Sequence, residues 1–291
     1  DAQVLRRLRQ RTLAKLRNEV APVEAPVYAR FALAWQGVSG PPAMGLQSVL
    51  DQLQGAALPV SQLDTLLGRR VKGYRPDQLD QAGAMGEVVW IGRGSVGARD
   101  GRVALYRRDR VHLLLDPPEP PEGFFDGAEG SMRKALLDHL EQRGASFVTT
   151  LCAAAGTDGM AKVADVVSAL WELAWAGLVT NDTFQPLRQL KAKGKGRGVV
   201  PGAGGRWSAV SELLLMPASD TEKALARASM LLDRYGVASG SAARAEGLKG
   251  GFSAVYPVLR SMEESGKVRR GWFVDGIDGA QFSIPGAVDR L

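Results

Sequence analysis

The chain has 291 residues, and 45% of them are hydrophobic, an ordinary composition for globular domains. It carries 37 Lys and Arg against 31 Asp and Glu, so its net charge of +6 favours polyanionic partners such as nucleic acid. The one cysteine, Cys152, excludes an intrachain disulfide, and with only two histidines it also excludes a Cys/His zinc site, so no metal is expected. No apolar run reaches the roughly 18 residues that span a membrane. The basic first twenty residues lack the apolar stretch of a secretory signal, so a cytoplasmic location is predicted.

Residues 1–115 predict a helical lead-in and then a unit of helices that ends in a hairpin. The hairpin turn contains Asp100-Gly101, a favoured turn pair. The predicted helices lie at 1–20, around 28–35, at 46–53 and 60–67, and from Arg75 onward, with strands at 87–91 and 102–106. Helices followed by a two-stranded hairpin are the order of a winged-helix module.

The proline-rich run Asp116–Pro121 predicts a linker, and two further modules follow it. The second, at 122–210, has predicted helices at 131–142, 163–176 and up to 190, and a basic glycine-rich loop at 191–205. The third, at 219–291, has predicted helices at 221–235, 241–246 and 252–264, then a hairpin over 267–284. A helix-start signal at Pro285-Gly286 lies near the last residue, so this module is expected to be truncated at its C-terminus.

The predicted fold class is therefore mainly α with small β-hairpins, α+β, built from tandem winged-helix modules. The three units share no alignable repeat; what recurs is the order of elements. Because the chain opens in a helical pattern without Met and stops soon after a helix start, both ends are expected to be cut from a longer protein.

Two glycine-rich motifs could indicate nucleotide binding, and neither has the required context. Gly92–Gly97 matches Gly-x-Gly-x-x-Gly, but a second strand follows instead of a helix, so a hairpin turn is predicted. Gly194-Lys195-Gly196 is not part of a phosphate-binding loop. We therefore expect no ATP hydrolysis and no cofactor in this chain.

The tripeptides Gln62-Leu63-Asp64 and Gln78-Leu79-Asp80 resemble the Gln-x-Asp element of winged-helix alkylpurine DNA glycosylases. Two occurrences in one chain indicate how often the pattern arises by chance, and Gln78 can equally well solvate a helix start. Asp80 and Gln78 are retained as candidate catalytic residues, so whether the chain is an enzyme stays open.

Basic and aromatic clusters are the stronger candidates, because a winged helix usually lays its third helix in the major groove while its wing touches the adjacent backbone. In the first module they precede the last helix, in the second they lie on the glycine-rich loop and its return strand, and in the third they lie on the helix and the wing. The alternative to DNA contact is that Tyr256 and Trp272 pack in the hydrophobic core. The predicted DNA contacts are Arg70, Lys72 and Arg75 in the first module, Lys191, Lys193, Lys195, Arg197 and Arg206 in the second, and Tyr256, Arg260, Arg269, Arg270 and Trp272 in the third.

The stretches 170–184, 205–208, 250–259, 268–271 and 279–291 resemble the long bacterial large helicase-related (Lhr-type) helicases, as do 12–17, 35–38 and 86–90. The resemblance implies a C-terminal part of a superfamily 2 DNA repair helicase that moves 3′ to 5′ using ATP and Mg²⁺. The motor would precede Asp1, and the location would be the bacterial nucleoid. Family C-terminal regions have been linked to oligomerisation and to uracil-glycosylase activity, but no glycosylase residue could be matched to a position here.

Three functions stay open at this stage. The first is a non-motor accessory region that binds single-stranded or forked DNA, holds protomers of a homo-oligomer together, or does both beside the upstream motor. The alternative is a DNA glycosylase that flips out uracil or a damaged base. The third is an oligomerisation scaffold whose basic residues are only a solvated surface.

Overall fold

A computed structural model describes residues 3–4, 7–8, 11–12, 21–97, 100–156, 159–191 and 202–291. The chain forms two compact units. The central unit is Leu46–Pro217, and the terminal unit combines Asp1–Gly45 with Ala218–Leu291. The predicted lead-in helix over 1–20 lies mostly outside the described residues; of this segment, residues 3–4, 7–8 and 11–12 are helical.

The first module, in the central unit, has three helices before its hairpin and a short helix after it. Helix α1, which precedes it in the chain, is Ala25–Trp35, and the module consists of α2 (Leu46–Leu53), β1 (Leu58–Pro59), α3 (Leu63–Gly68), α4 (Pro76–Ala84), β2 (Val88–Ser95), β3 (Gly101–Arg107) and α5 (Val111–Leu114). Strands β2 and β3 pair antiparallel across the Gly-rich segment, which confirms the predicted hairpin and leaves no helix start after Gly92.

The second module completes the central unit. It consists of α6 (Gly127–Arg143), β4 (Ser146–Phe147), α7 (Val148–Ala155), α8 (Val163–Trp175), β5 (Val179–Asn181), α9 (Gln185–Lys191) and β6 (Arg206–Ala209). Cys152 on α7 is fully buried, where its thiol packs as a small hydrophobic side chain. The 3₁₀ turn at Val210–Leu214 follows β6, and its Val210 and Leu213 share a hydrophobic core cluster with buried residues of the first module's hairpin.

The terminal unit contains the third module and the lead-in helix α1. The module consists of α10 (Asp220–Tyr235), β7 (Val237–Ala238), α11 (Gly240–Ala245), a 3₁₀ turn at Gly251–Ala254, α12 (Tyr256–Glu264), β8 (Arg269–Gly271), β9 (Gln281–Ser283) and α13 (Pro285–Val288). Helix α10 opens with a capping box between Ser219 and Glu222, which satisfies free N–H groups of its first turn.

Helix α1 precedes the first module in the chain but packs with the third. Phe31 is buried, and the Nε1 of Trp35 donates to the carbonyl of Asp233 at 2.8 Å. Gly236 ends α10 with a φ of +69°, and a Cβ there would lie 2.5 Å from the Phe31 ring. Only glycine accommodates both the left-handed turn and the ring, so α1 packs flush against the end of α10.

All three modules have one sheet topology, which confirms the α+β winged-helix prediction. In each three-stranded antiparallel sheet, the last strand lies between the first and the second: the orders are β1-β3-β2, β4-β6-β5 and β7-β9-β8. The first strand of each sheet has two residues and was not predicted, because so short a strand has no alternating pattern. Among the helices that the structure describes, none is long and apolar enough to cross a membrane.

Candidate nucleic-acid interface

An aromatic cluster in the third module links helix α12 to strand β9. Tyr256, the first residue of α12, packs edge-on against Phe252 and Phe282, with ring centroids 6.1 and 5.8 Å apart. The Arg270 guanidinium lies over the rings of Tyr256 and Phe282, at 5.7 and 5.9 Å from their centroids. Because ring faces attract cations, this packing holds the Arg270 charge beside the start of α12.

The turn of this wing is organised by one buried side chain, Gln281. Its Oε1 accepts hydrogen bonds from the N–H groups of Phe273 and Val274 at 3.0 and 2.9 Å. Its Nε2 donates to the carbonyls of Val274 and Ile277, both at 2.9 Å. These four bonds use the two acceptor and two donor positions of the amide, so the turn after β8 is held in one shape.

The chain segment before α1 supports the same turn from its other edge. The N–H of Val23 donates to the carbonyl of Phe273, and the N–H of Asp275 donates to the carbonyl of Val23, each at 2.9 Å. Val23 thereby forms a short parallel bridge with Val274. The wing is therefore held by the Gln281 side chain and by a neighbouring stretch of backbone.

Charge is distributed unevenly along the wing. Lys267 is exposed and Arg269 and Arg270 are half-buried at its base, where the chain leaves α12. Asp275 and Asp278 are exposed in the turn. Carboxylates repel phosphates, so the base of this wing, and not its turn, is the part suited to a nucleic-acid backbone.

Several predicted DNA contacts are engaged in exposed ion pairs. The pairs are Arg75–Asp77 at 3.1 Å, Arg206–Asp182 at 2.9 Å and Arg260–Glu264 at 3.2 Å. Within the described part of the chain, by contrast, Lys267, Arg269 and Arg270 form no ion pair. Their charge is therefore less neutralised than that of Arg75, Arg206 and Arg260.

The remaining predicted cations are a half-buried arginine, an exposed lysine and four residues whose side chains lie outside the described part of the chain. Arg70 donates from Nη1 to the carbonyl of Leu66 at 3.2 Å, and burial lowers the pKa of its guanidinium. Lys72 is exposed. Lys191 is the last residue of α9, and its side chain lies outside the described residues together with all of Lys193, Lys195 and Arg197. Contact of that loop with DNA stays a prediction.

The two Gln-Leu-Asp tripeptides meet at a single arginine of the second module. Both carboxylate oxygens of Asp80 accept hydrogen bonds from Nη1 of Arg188, at 2.7 and 2.6 Å. Asp64 accepts one from Nε of Arg188 at 3.2 Å and another from the Tyr74 hydroxyl at 2.7 Å. Burial, and next the hydrogen bond to Asp64, raise the pKa of the Tyr74 hydroxyl.

Arg188 of the second module is thus bound to Asp64 and Asp80 of the first, and we call this network the Asp64–Arg188–Asp80 clamp. Gln78 takes part in the start of α4, where its Oε1 accepts from the N–H of Arg75 at 3.1 Å, as the helix-start interpretation predicts. Sequence reasoning missed Arg188 as the partner of Asp80. Its only signal was its position in the stretch after Phe184 that carries the family resemblance.

Tryptophans fill the junction between the first two modules. Trp171 stacks on Trp90 and Trp175 at centroid distances of 6.2 and 5.2 Å, and Trp207 packs edge-on against both Trp90 and Trp171 at 6.2 and 5.5 Å. The Nε1 of Trp90 donates to the carbonyl of Thr183 at 3.0 Å. Indole rings bury large apolar areas, so this cluster joins the modules into one unit.

The third helices of the first two modules take part in that junction. A Cβ on Gly92 of β2 would lie 1.9 Å from the carbonyl oxygen of Ala174 on α8, so the backbones touch. A Cβ on Gly83 of α4 would lie 3.0 Å from the Phe184 ring. Helix α4 contains two Asp, helix α8 contains one Asp and one Glu, and neither helix contains Lys or Arg. Both are therefore poorly suited to approach a DNA groove.

Comparisons with known proteins agree with this architecture. Two family models described as "Large helicase-related protein, winged-helix domain" match residues 23–108 and 217–291. The chain is 38% identical over its whole length to the protein named "Lhr helicase/ probable uracil glycosylase" of Mycolicibacterium smegmatis, of which it covers 20%. It is 34% identical, over 99% of its length, to the "Lhr helicase/uracil glycosylase" of Escherichia coli, of which it covers 21%.

The chain thus spans about a fifth of the length of the curated relatives that it matches. The match to the first family model begins at residue 23 and so includes α1, which the fold packs against the third module. Two winged-helix models, three modules of one topology and similarity along the whole chain agree with one another. The chain belongs to the large helicase-related family, as a winged-helix part of the C-terminal region of such a helicase.

Proposed function

We propose that this chain is a non-motor region that binds DNA beside the helicase motor, through helix α12 and the base of the third wing. The observation that carries the proposal is the cluster of Lys267, Arg269 and Arg270, which forms no ion pair in the described part of the chain. A winged helix usually offers this pair of elements to DNA. The motor's ATP-driven 3′-to-5′ movement and a role in DNA repair are part of the same proposal.

The electrostatics favour phosphate binding at this place over the other two modules. Lys267, Arg269 and Arg270 lie within four consecutive residues, and the packing of Arg270 on Tyr256 and Phe282 limits the entropy that its side chain loses on binding. In the central unit, α4 and α8 are occupied by packing between modules and carry no cation. Among the described residues, the third module therefore combines an exposed helix face with a basic wing base.

The test compares two triple variants of the 291-residue chain. In the first, Lys267, Arg269 and Arg270 are changed to Gln, which removes three charges and keeps the stem of Arg270 over the rings. In the matched control, Lys134, Arg143 and Lys162, all exposed in the central unit, are changed to Gln. Both lose the same net charge, so a difference between them reports local contact.

Binding to fluorescent single-stranded and forked DNA is measured across a salt series. We expect the wing triple to lose about tenfold or more in affinity, with the slope of log K against log salt smaller by about 2, while the control loses a few-fold. Equal losses in the two triples would contradict a local contact. Wild-type chain that binds no DNA at low salt would contradict the function itself.

The glycosylase alternative has its own test, since two relatives carry that activity in their names. Asp80 is the candidate base, but its carboxylate is held by Arg188 at 2.6–2.7 Å, an arrangement suited to a structural role. Release of uracil from DNA that disappears in Asp80→Asn would support a base-flipping enzyme. Homo-oligomer formation is tested in parallel by sedimentation of the wild-type chain.

A further inference from the structure

Trp272 follows strand β8 at the base of the third wing, and half of its surface, 50%, is exposed. Tryptophan is highly buried on average, and Trp90 and Trp207 in the central unit are completely buried. Trp272 therefore presents a large aromatic surface to solvent, directly after the basic residues Arg269 and Arg270. The interpretation of Trp272 as a core residue is therefore wrong.

We propose that Trp272, with Arg270, forms a stacking site for an unpaired base of single-stranded DNA, an inference that rests on the proposed DNA-binding function. Trp272 comes directly after the last residue of β8 and two residues after Arg270. Arg270 is fixed on the side of Tyr256 and Phe282. The exposed indole and this fixed cation therefore belong to the same short segment at the base of the wing.

Charge and rigidity favour a nucleic-acid strand as the occupant. Lys267, Arg269 and Arg270 lie within five residues of the indole and can bind the phosphates on either side of a stacked base. Gln281 and the bridge from Val23 hold the backbone that follows Trp272, so little ordering is needed on binding. Bases stack on aromatic side chains without regard to sequence, so the site is expected to accept any base.

The carboxylates of the turn favour a single strand over a duplex. Asp275 and Asp278 are exposed just beyond Trp272, where a wing that tracks duplex DNA would meet a second backbone. A single strand can pass the base of the wing and turn its base onto the indole without approaching these carboxylates. The site therefore discriminates by strand state and not by sequence.

The experiment separates stacking from charge by using two oligomers with the same number of phosphates. One is oligo-dT of ~12 nucleotides, and the other is an abasic oligomer of equal length. The 291-residue chain is compared with Trp272→Ala, Trp272→Phe and the control Leu225→Ala, which truncates an exposed apolar side chain on α10. Thermal unfolding checks that each variant is folded, and Trp272→Phe keeps an aromatic ring if the alanine variant is unstable.

We expect Trp272→Ala to lose about tenfold in affinity for oligo-dT and nothing for the abasic oligomer. The affinity of Trp272→Phe for oligo-dT is expected to stay within a few-fold of that of wild type. The affinity of Leu225→Ala is expected to equal that of wild type. Equal losses on both oligomers, no loss on oligo-dT, or a change of oligomeric state without a change of affinity would overturn the stacking site. If wild type binds neither oligomer at low salt, the proposed function itself fails; if it binds both and Trp272→Ala matches it, only the stacking site fails.

Discussion

The central and terminal units share one sheet topology but differ in which faces of their modules are buried. In the central unit, the hairpin of one module and the third helix of the next are packed together, with Gly92 touching the Ala174 carbonyl and four tryptophans between them. In the terminal unit, the corresponding helix α12 keeps Arg260 and Ser261 exposed, and the wing displays Trp272. The winged-helix order therefore indicates the fold of a module but not which of its faces is free.

The largest expected effect breaks the contact that joins the first two modules. Gly92→Ala places a Cβ against the Ala174 carbonyl oxygen, at a spacing of 1.9 Å that neither backbone can relieve cheaply. We expect the central unit to lose about 3 kcal/mol of unfolding free energy. Chemical denaturation measures it, with Gly68→Ala as the control, because a Cβ there meets only Tyr74 at 3.7 Å. A stability equal to that of the control would show that the backbones do not touch.

The second effect concerns the frame of the third wing. Gln281→Leu keeps a similar volume but removes four buried hydrogen bonds, so we expect a loss of about 2–3 kcal/mol in the terminal unit. Ser283→Ala on the same strand loses its bond to the Gly236 carbonyl and should cost about 1 kcal/mol. We also expect Gln281→Leu to weaken DNA binding more than Ser283→Ala does, since only Gln281→Leu removes the hydrogen bonds that hold the turn of the wing. Equal affinities in the two variants would contradict that role.

A smaller effect is expected at the Asp64–Arg188–Asp80 clamp. Arg188→Ala leaves two neighbouring carboxylates without their shared partner, but all three side chains are about a third exposed, so we expect a loss of about 1–2 kcal/mol. Arg188→Lys keeps the positive charge but lacks the planar guanidinium, so it should recover part of the lost stability. Because this clamp lies in the central unit, the DNA affinity of Arg188→Ala should equal that of wild type. A loss of DNA binding in this variant would indicate that the DNA interface lies in the central unit.

The smallest effect concerns the basic loop of the second module. Changing Lys193, Lys195 and Arg197 together to Ala should weaken DNA binding by a few-fold without changing the unfolding midpoint, since the segment has many glycines and few apolar side chains. Affinity at low salt is the measurement. An effect larger than that of the Lys267, Arg269 and Arg270 triple would make the central unit the principal DNA contact.

Sequence patterns were sufficient for the modules and much of their surface chemistry. Helical periodicity placed α8 and α10 within one or two residues, and Asp100-Gly101 placed the first hairpin, because these signals depend on neighbouring residues. The stretches around 170–184 and 279–291 were sufficient for the family. Local patterns carry no information about the packing between the first two modules, in which α4 and α8 take part.

Only the tertiary structure decided which candidate residues share a site. Arg188 lies more than a hundred residues from Asp64 and Asp80 in the chain, so no spacing rule could pair them. The packing of α1 on the third module likewise depends on Gly236 and Phe31, which lie at opposite ends of the sequence. The sequence determined the modules because secondary structure is local; the fold determined the exposed wing base because burial depends on what the rest of the chain covers.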